Sequence, residues 1–387
     1  MITVVHVITR LELGGAQENT LYTCAHLDPA RYRVVLAFGR GGRLDARAQS
    51  TPCIEAVPIE GLVREVAPKR DAAAFRRLVA LFRRLRERHA SEGGAPGAFV
   101  VHTHSSKAGI LGRLAAARAE VPVIVHGIHG FGFHEGQNPV KKALFVNAER
   151  LASRVTDAFV SVSQTSLAEA RSRGLVEPSH VARVIRSGMR LADHHEAPSR
   201  EVARQQLGLP AEAELIVCVA NFKPQKDPLT LIRAFARLSD RRPHARLLYV
   251  GDGGLRPQVE ALVRELKLEA KVSLLGWRDD VPRLMAACDV VALSSIFEGL
   301  PRTAVQAVAA RRPFVGTRVD GTPEIIRDGV NGYLVPPRDP ERLAEALERG
   351  LVYRPVDPED ETRVLAWDAD LMVREQEHLY EALVRSS

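Results

Sequence analysis

The stretch DVVALSSIFEGLPRTAVQAVAARRPFVGT, residues 289–317, decides the fold. An apolar β-branched run from Val290 to Leu293 enters the turn Phe-Glu-Gly-Leu-Pro. A helical segment of Ala and Val follows, interrupted by one amide, Gln306, and the chain returns in a second apolar run, Pro313 to Thr317. Two parallel strands need a crossover, and a helix of this length supplies it, so the stretch reads as one β-α-β unit.

The same alternation extends in both directions. Upstream of it, strands are expected at ELIVCVAN, ARLLYVG and KVSLLG, and downstream at GYLVP. Helix starts are marked by Pro at the first helical position after a capping residue, as at Thr322-Pro323 and Asp339-Pro340. The first half repeats the pattern with ITVVHVI, RVVLAF, AFVVHTH, PVIVHGI, AFVSVS and VARVI. Between the halves, DHHEAPSREVA is polar and carries Pro198. The division expected is therefore residues 1–192 as one α/β domain, 193–203 as a linker and 204–365 as a second domain. Residues 366–387 are expected to form a helix that packs back on the first domain. In open parallel sheets ligands lie beyond the carboxyl ends of the strands, so the expectation is an α/β protein of two facing, doubly wound domains with an interdomain cleft.

Composition narrows the classes. With 387 residues, 45% hydrophobic and 26% charged, the chain is long enough for two cores and is neither disordered nor fibrous. No apolar run reaches the roughly 18 residues of a membrane span. A strand beginning at Ile2 leaves no room for a signal peptide. Cys24, Cys53, Cys218 and Cys288 lack CxxC spacing, the pattern of reduced structural thiols. A cytoplasmic protein is expected. The formal charge of +7 suits an anionic partner, whether nucleic acid, membrane surface or phosphate, but no nucleic-acid motif accompanies it.

Candidate chemistry sits in the loops after strands. Behind Glu298-Gly299-Leu300-Pro301, with Pro301 in the first helical turn, the amides around Arg302 and Thr303 can form an anion site. Glu298 would repel a phosphate there and instead suits sugar hydroxyls, while Gln306, one turn beyond Arg302, can both donate to and accept from a ribose. A capping Glu and a solvated Gln are the plainer alternatives. Gly14-Gly15 opens a helix where backbone can approach a diphosphate. Lys223 and Lys226 follow the first strand of the second half and can neutralise phosphate, or can be ordinary surface lysines. The segment VIVHGIHGFGFHEG gathers His126, His129 and His134 with Phe131 and Phe133 among four glycines. Imidazole suits proton transfer near neutral pH and aromatic faces suit sugar rings.

Taken in order, the Gly-Gly loop, the His-Gly-Phe loop, PQKDPLTLIRAF, LLYVGDGG, VSLLGWRDDVPRLMAACDV, SSIFEGLP and RPFVGTRVDGTPEIIRDGVNGYLVPPRDPERLAEAL resemble glycosyltransferase family 4, retaining enzymes of the GT-B fold. The resemblance spans nearly the whole chain, and VVHTHSSKAGILGRLAA with VHGIHGFGFHE resembles members that build bacterial surface polysaccharides. It implies a nucleotide-diphosphate sugar, a UDP- or GDP-sugar, held mainly by the second domain, and a saccharide or lipid-linked saccharide acceptor held mainly by the first. Carried onto this chain, Glu298 and His129 are the catalytic positions. Gly15, Asn221, Lys226, Arg278 beside Trp277, Gly299, Leu300, Arg302, Thr303 and Gln306 bind the donor, and His104, Phe131 and Phe133 line the acceptor. Gln306 stands eight positions after Glu298, where the family usually has a second glutamate. Asn221 replaces a usual arginine, with Lys223 able to supply its charge, and Arg190 follows Ser-Gly-Met where an acid is common.

No metal is expected. WDAD, with Asp368 and Asp370, precedes a helix and reads as capping, and His102-x-His104 has no carboxylate nearby in sequence, so it reads as structural or acceptor-lining. Activity is then expected to survive EDTA. The helix AAAFRRLVALFRRLRERHA places Phe75, Leu78, Val79, Phe82 and Leu85 on one face for the first sheet, with peripheral docking of its arginines on the anionic cytoplasmic membrane face as the alternative. A nucleotide-sugar 2-epimerase of the same fold, and a catalytically weak nucleotide-sugar-binding protein, are the rival functions. A dinucleotide oxidoreductase lacks its GxGxxG here.

Overall fold

The computed structural model describes residues 1–130, 139–352 and 357–386, apart from the side chains of Lys141 and Lys142. It divides into two α/β units, residues 1–188 with 369–387, and residues 189–368. The first contains seven strands: β1 (Ile2–Arg10), β2 (Tyr32–Gly39), β3 (Ile54–Pro58), β4 (Phe99–His104), β5 (Val123–Ile128), β6 (Ala158–Ser161) and β7 (Val181–Val184). They pair in parallel in the order β3-β2-β1-β4-β5-β6-β7. The second contains β8 (Glu214–Val219), β9 (Ala245–Val250), β10 (Val272–Gly276), β11 (Val290–Leu293), β12 (Phe314–Thr317) and β13 (Gly332–Val335), parallel in the order β10-β9-β8-β11-β12-β13. Strand order reverses once in each sheet, between β1 and β4 and between β8 and β11. Loops diverge to opposite faces at such a point and leave a crevice.

Both faces of the first sheet are covered, which is why its strands are apolar on both sides. Val5, Val7, Val35 and Val101 pack under the helix Pro68–Ser91, which buries Leu78, Phe82 and Leu85 and rests Phe75 and Val79 beside them. The intervening positions Val4, Ile8, Leu36 and Val100 meet the helix Gly15–His26 and the helix Ala369–Ser386. Residues 369–386 therefore complete the first core although the whole second unit precedes them in the chain.

Two boundaries differ from the sequence expectation. Residues 193–203 are not a linker: they lie within the second unit, partly in the helices Ala192–His195 and Arg200–Leu207. Arg200 and Arg204 reach Asp289 at 2.8 and 2.7 Å, and the same carboxylate accepts the Leu215 amide at 2.8 Å. A buried carboxylate with three donors ties that polar segment to β8 and β11, a tie that local composition does not reveal. The second unit also runs to Asp368 rather than ending at 365.

Candidate functional site

In the second unit the loops after β8 and β11 flank its switch point and are stitched together. The Ile296 amide donates to the Gln225 carbonyl at 2.8 Å, and Gln225 Nε2 donates to the Phe297 carbonyl at 3.0 Å. Ser294 Oγ reaches the carbonyls of Lys226 and Asp227 at 2.9 and 2.8 Å. Asp227 stands at φ +42°, a left-handed conformation uncommon outside glycine but tolerated by Asp, and caps the helix Pro228–Arg241. This turn fixes Lys226, the last residue of the 3₁₀ turn Pro224–Lys226.

Lys226 Nζ is ion-paired with Glu298 Oε1, which also accepts from Ser295 Oγ at 2.5 Å. The Glu298 amide donates to Asp320. The Glu298 side chain is 6% exposed and that of Lys226 20%, so the pair lies at the edge of solvent, where a polyanion can still compete for the lysine. The chain then passes Gly299, Leu300 and Pro301 into the helix Arg302–Ala309. Pro301, expected inside the first turn, is instead the residue before it, at φ −73° and ψ 101°; its rigid, extended backbone sets the entry angle. Thr303 Oγ1 donates to the Val219 carbonyl at 2.8 Å and clamps the helix start to the end of β8. Among the described residues the amides of Gly299, Leu300 and Thr303 have no acceptor, the condition for holding an anion at a helix start.

The remaining donor candidates are placed as follows. Asn221 follows β8, and Gln306 lies one turn into the helix; both are half-buried, and their side-chain amides make no hydrogen bond among the described residues. Arg302 is half-buried near His194, whose pKa burial pushes down to about 4, with the positive charges of His195 and Arg302 adding to the shift and Asp193 opposing it. Arg278 and Trp277 are exposed after β10, with Arg278 ion-paired to Asp280 at 2.6 Å. Gly15 opens the helix Gly15–His26 in the first unit.

That unit holds a histidine cluster at its own switch point. His6 on β1 stands in register with His102 on β4, and Ile8 with His104, so the three imidazoles share one sheet face. His6 Nδ1 and His104 Nε2 are 2.9 Å apart, and His104 Nδ1 and His129 Nε2 are 3.0 Å apart. His102 Nδ1 lies 2.6 Å from the Tyr380 hydroxyl, contributed by the helix Ala369–Ser386. Gly127 leaves the room: a Cβ there would come within 2.9 Å of His104 Nδ1, 3.1 Å of His129 Nε2 and 3.3 Å of His102 Nε2. Burial lowers the pKa of His6 to about 3 and of His129 to about 4, and holds His102 and His104 well below the usual histidine range. The cluster is neutral at pH 7.

Two sequence assignments change here. His126 lies on β5, not in the loop, and faces the opposite side of the sheet, 2.9 Å from Thr103 Oγ1 and against Gly109. His104 is 3% exposed and meets His6 and His129 rather than lining an open acceptor surface. Phe131, Phe133 and His134 lie outside the described residues. Three ring nitrogens, one each from His6, His102 and His104, fall within 4.8 Å of one another. The contact between His6 Nδ1 and His104 Nε2 already occupies one nitrogen of each ring, and among the described residues no carboxylate joins the cluster to offset a dication. Asp368 precedes the helix Ala369–Ser386, and Asp370 in its first turn accepts from the Tyr22 hydroxyl at 2.6 Å.

Sequence reasoning missed His6, Tyr380, Ser295 and Asp320. A lone polar residue inside the apolar run ITVVHVI was a usable signal for His6. Tyr380 lies 278 positions from His102, and no local pattern links them.

Residues 213–351 match the family model described as glycosyl transferases group 1, and residues 14–186 that of a glycosyl transferase 4-like domain. The UDP-Gal:alpha-D-GlcNAc-diphosphoundecaprenol alpha-1,3-galactosyltransferase of Escherichia coli is 26% identical over 352 residues, 90% of this chain and 87% of the relative. A D-inositol 3-phosphate glycosyltransferase of Kineococcus radiotolerans is 31% identical over 319 residues, 76% of this chain and 71% of the relative. Among solved structures, Anabaena HepE in complex with UDP and glucose superposes with a TM-score of 0.78 at 20% identity, covering 99% of this chain and all of the other.

Proposed function

Because the chain belongs to the glycosyl transferase group 1 family, we propose that it is a retaining hexosyltransferase that takes its sugar from a UDP- or GDP-sugar. The acceptor is a saccharide or lipid-linked saccharide in surface-polysaccharide synthesis, reached at the cytoplasmic face of the membrane by peripheral contact. The observation that carries this reading is the Lys226–Glu298 pair beside the acceptor-less amides of Gly299, Leu300 and Thr303. The UDP in HepE and the galactosyl donor and diphosphoundecaprenol named for the Escherichia coli relative support the donor and acceptor classes.

In this reading the diphosphate accepts from the helix-start amides and draws Lys226 away from Glu298. Glu298 keeps its Ser295 bond and turns its released capacity to the sugar hydroxyls. The amides and the lysine then stabilise the charge that develops on the departing diphosphate, without a metal ion. Gln306 serves the ribose, and Asn221, Arg278, Arg302 and Gly15 complete the donor contacts. His129 orients the sugar at its reacting carbon, and the leaving phosphate takes the acceptor's proton on the same face. A thermal-shift screen against nucleoside diphosphates and their sugars tests the donor. UDP or GDP is expected to raise the Tm by mass action, Lys226→Ala to reduce the rise, and sugar transfer to continue in EDTA. Silence from every nucleotide removes the donor assignment; turnover lost in EDTA and restored by Mn²⁺ removes the metal-free chemistry.

A further inference from the structure

We propose that the first unit carries a recognition pocket for a single hydroxyl group of the acceptor, read by His126 and Glu149. That the hydroxyl belongs to an acceptor sugar rests on the function given above; the pocket itself does not.

The pocket lies at the carboxyl ends of β4 and β5, where open parallel sheets bind ligands. Ser106, which opens the helix Ser106–Arg118, and Gly130, the residue after His129, stand at its partly exposed mouth. Arg113, His126, Glu149 and Phe159 form its inner wall and are 1, 6, 7 and 1% exposed. The space between them, about 20 Å³ for the centre of a water-sized group, admits one such group.

This wall is polar where packing alone would favour apolar residues. Arg113 pairs with Glu149 of the helix Pro139–Ser153 and also donates to the Gly109 carbonyl at 2.9 Å and to Thr156 Oγ1 at 3.4 Å. A buried ion pair seldom gives more stability than apolar side chains of the same volume. Only Oε2 of Glu149 takes the guanidinium, and Oε1 has no hydrogen bond among the described residues. His126 Nδ1 lies 2.9 Å from Thr103 Oγ1. Its Nε2 has no partner among the described residues and, unlike Nε2 of His6 and of His102, is not sealed from solvent. Gly109 keeps the ring's place open, since a Cβ there would come within 2.5 Å of His126 Cε1 and 3.4 Å of Nε2. Two polar atoms on the wall, an imidazole nitrogen and a carboxylate oxygen, are thus left for an occupant.

Charge and size select that occupant. Burial keeps His126 neutral at pH 7, and the positive charge of Arg113 adds to the shift. A phosphate or carboxylate would meet the Glu149 charge with the guanidinium already paired, and an ammonium would meet the guanidinium. A hydroxyl is neutral, fits the space, and can donate to the carboxylate while accepting from the imidazole. A sugar presents that group on its ring or as a hydroxymethyl. An analogue without it would leave buried polar atoms unmet, at a loss of about tenfold or more in affinity.

The test is a titration of ¹⁵N-histidine-labelled protein at pH 7, with and without UDP, using the methyl glycosides of glucose, galactose and mannose and the monodeoxy analogues of each. The His126 ring nitrogens are assigned by their loss in His126→Gln. One parent glycoside is expected to shift His126 Nε2, and one of its monodeoxy analogues to leave it in place. Saturation transfer to that glycoside is expected to weaken roughly tenfold in His126→Phe and to persist in His126→Gln, whose amide still offers a donor and an acceptor. A His126 signal that no glycoside moves overturns the proposal, as does one that all monodeoxy analogues move equally. So does a shift produced by inorganic phosphate in place of the glycosides, which would make the pocket an anion site. Should His126→Phe fail to fold, the wild-type titration still decides. UDP binding without hydroxyl dependence would strike the pocket alone; a hydroxyl-dependent shift in a protein that binds no nucleotide would strike the proposed function alone.

Discussion

Glu298 and Lys226 are each other's counter-ion in this structure, although the sequence reading assigns them to different parts of one ligand. Both assignments can hold, because the pair keeps two charges satisfied at the solvent edge until a stronger anion arrives. Removing one member of such a pair exposes the other, so Glu298→Ala acts on Lys226 as well as on the sugar. His129→Ala and Glu298→Ala are each expected to lower kcat/KM at least about tenfold, about 1.4 kcal/mol of transition-state stabilisation. Near-wild-type turnover in both variants, measured at subsaturating donor, would end their assignment. At this scale the sequence told which loops matter, since Glu298, Lys226 and His129 stand at strand ends with recognisable neighbours. It did not tell which side chains face each other. His6 looked like one more strand residue, because its ring meets His102 and His104 of β4 and Tyr380 of the last helix, all remote in sequence.

Among the helices, Pro139–Ser153 departs from ordinary packing. It leaves Val140, Leu144 and Leu151 exposed at 77, 65 and 52%, at spacings of four and seven residues that put them on one side of a helix. Lys141, Lys142 and Arg150 stand in the same helix in the sequence. An apolar stripe on a helix whose sequence also carries basic residues suits the surface of an anionic bilayer. The protein is therefore expected to float with vesicles containing anionic lipid at low salt, and Leu144→Asp to weaken that binding. Failure to float at any salt concentration would remove the membrane contact. The helix Pro68–Ser91 spends its apolar face on the first sheet, as its spacing led one to expect. Strands and their order of appearance were legible because parallel strands covered on both faces are apolar throughout. Close approaches were not: Gly251, at φ +134°, lies where a Cβ would sit 2.1 Å from the Ala220 carbonyl. The Gly-Asp-Gly-Gly turn thus serves backbone packing between β9 and the loop after β8.

For the molecule as a whole, acid is the condition that should separate the two units. His6, His102, His104, His126 and His129 of the first are all held neutral, their pKa values lowered chiefly by burial. Among the described residues of the second, His194 alone is shifted this way. Unfolded histidines take up protons near 6.5 and these folded ones do not, so the unfolded state binds more protons between pH 6.5 and about 4. The stability they give is complete above pH 6.5 and drains away as the pH falls toward 4. Each imidazole contributes a slope of up to about 1.4 kcal/mol per pH unit. Urea unfolding followed by hydrogen exchange should show the first unit losing protection well before the second as the pH is lowered from 7 to 5. Equal losses in both would contradict the neutral cluster. The number of units and the return of the last helix to the first unit were readable from the sequence, whereas the start of the second unit was not, since Asp289 ties residues 193–203 to it through contacts remote in sequence.

The position of Tyr380 also bears on biosynthesis. A ribosome that has released β13 has made every strand of both sheets, yet the lid over His102 is still unsynthesised. Until residues 369–386 emerge, the amino-terminal half waits with one flank of its sheet bare, so its maturation is timed by residues made after the whole second unit and not by its own early translation.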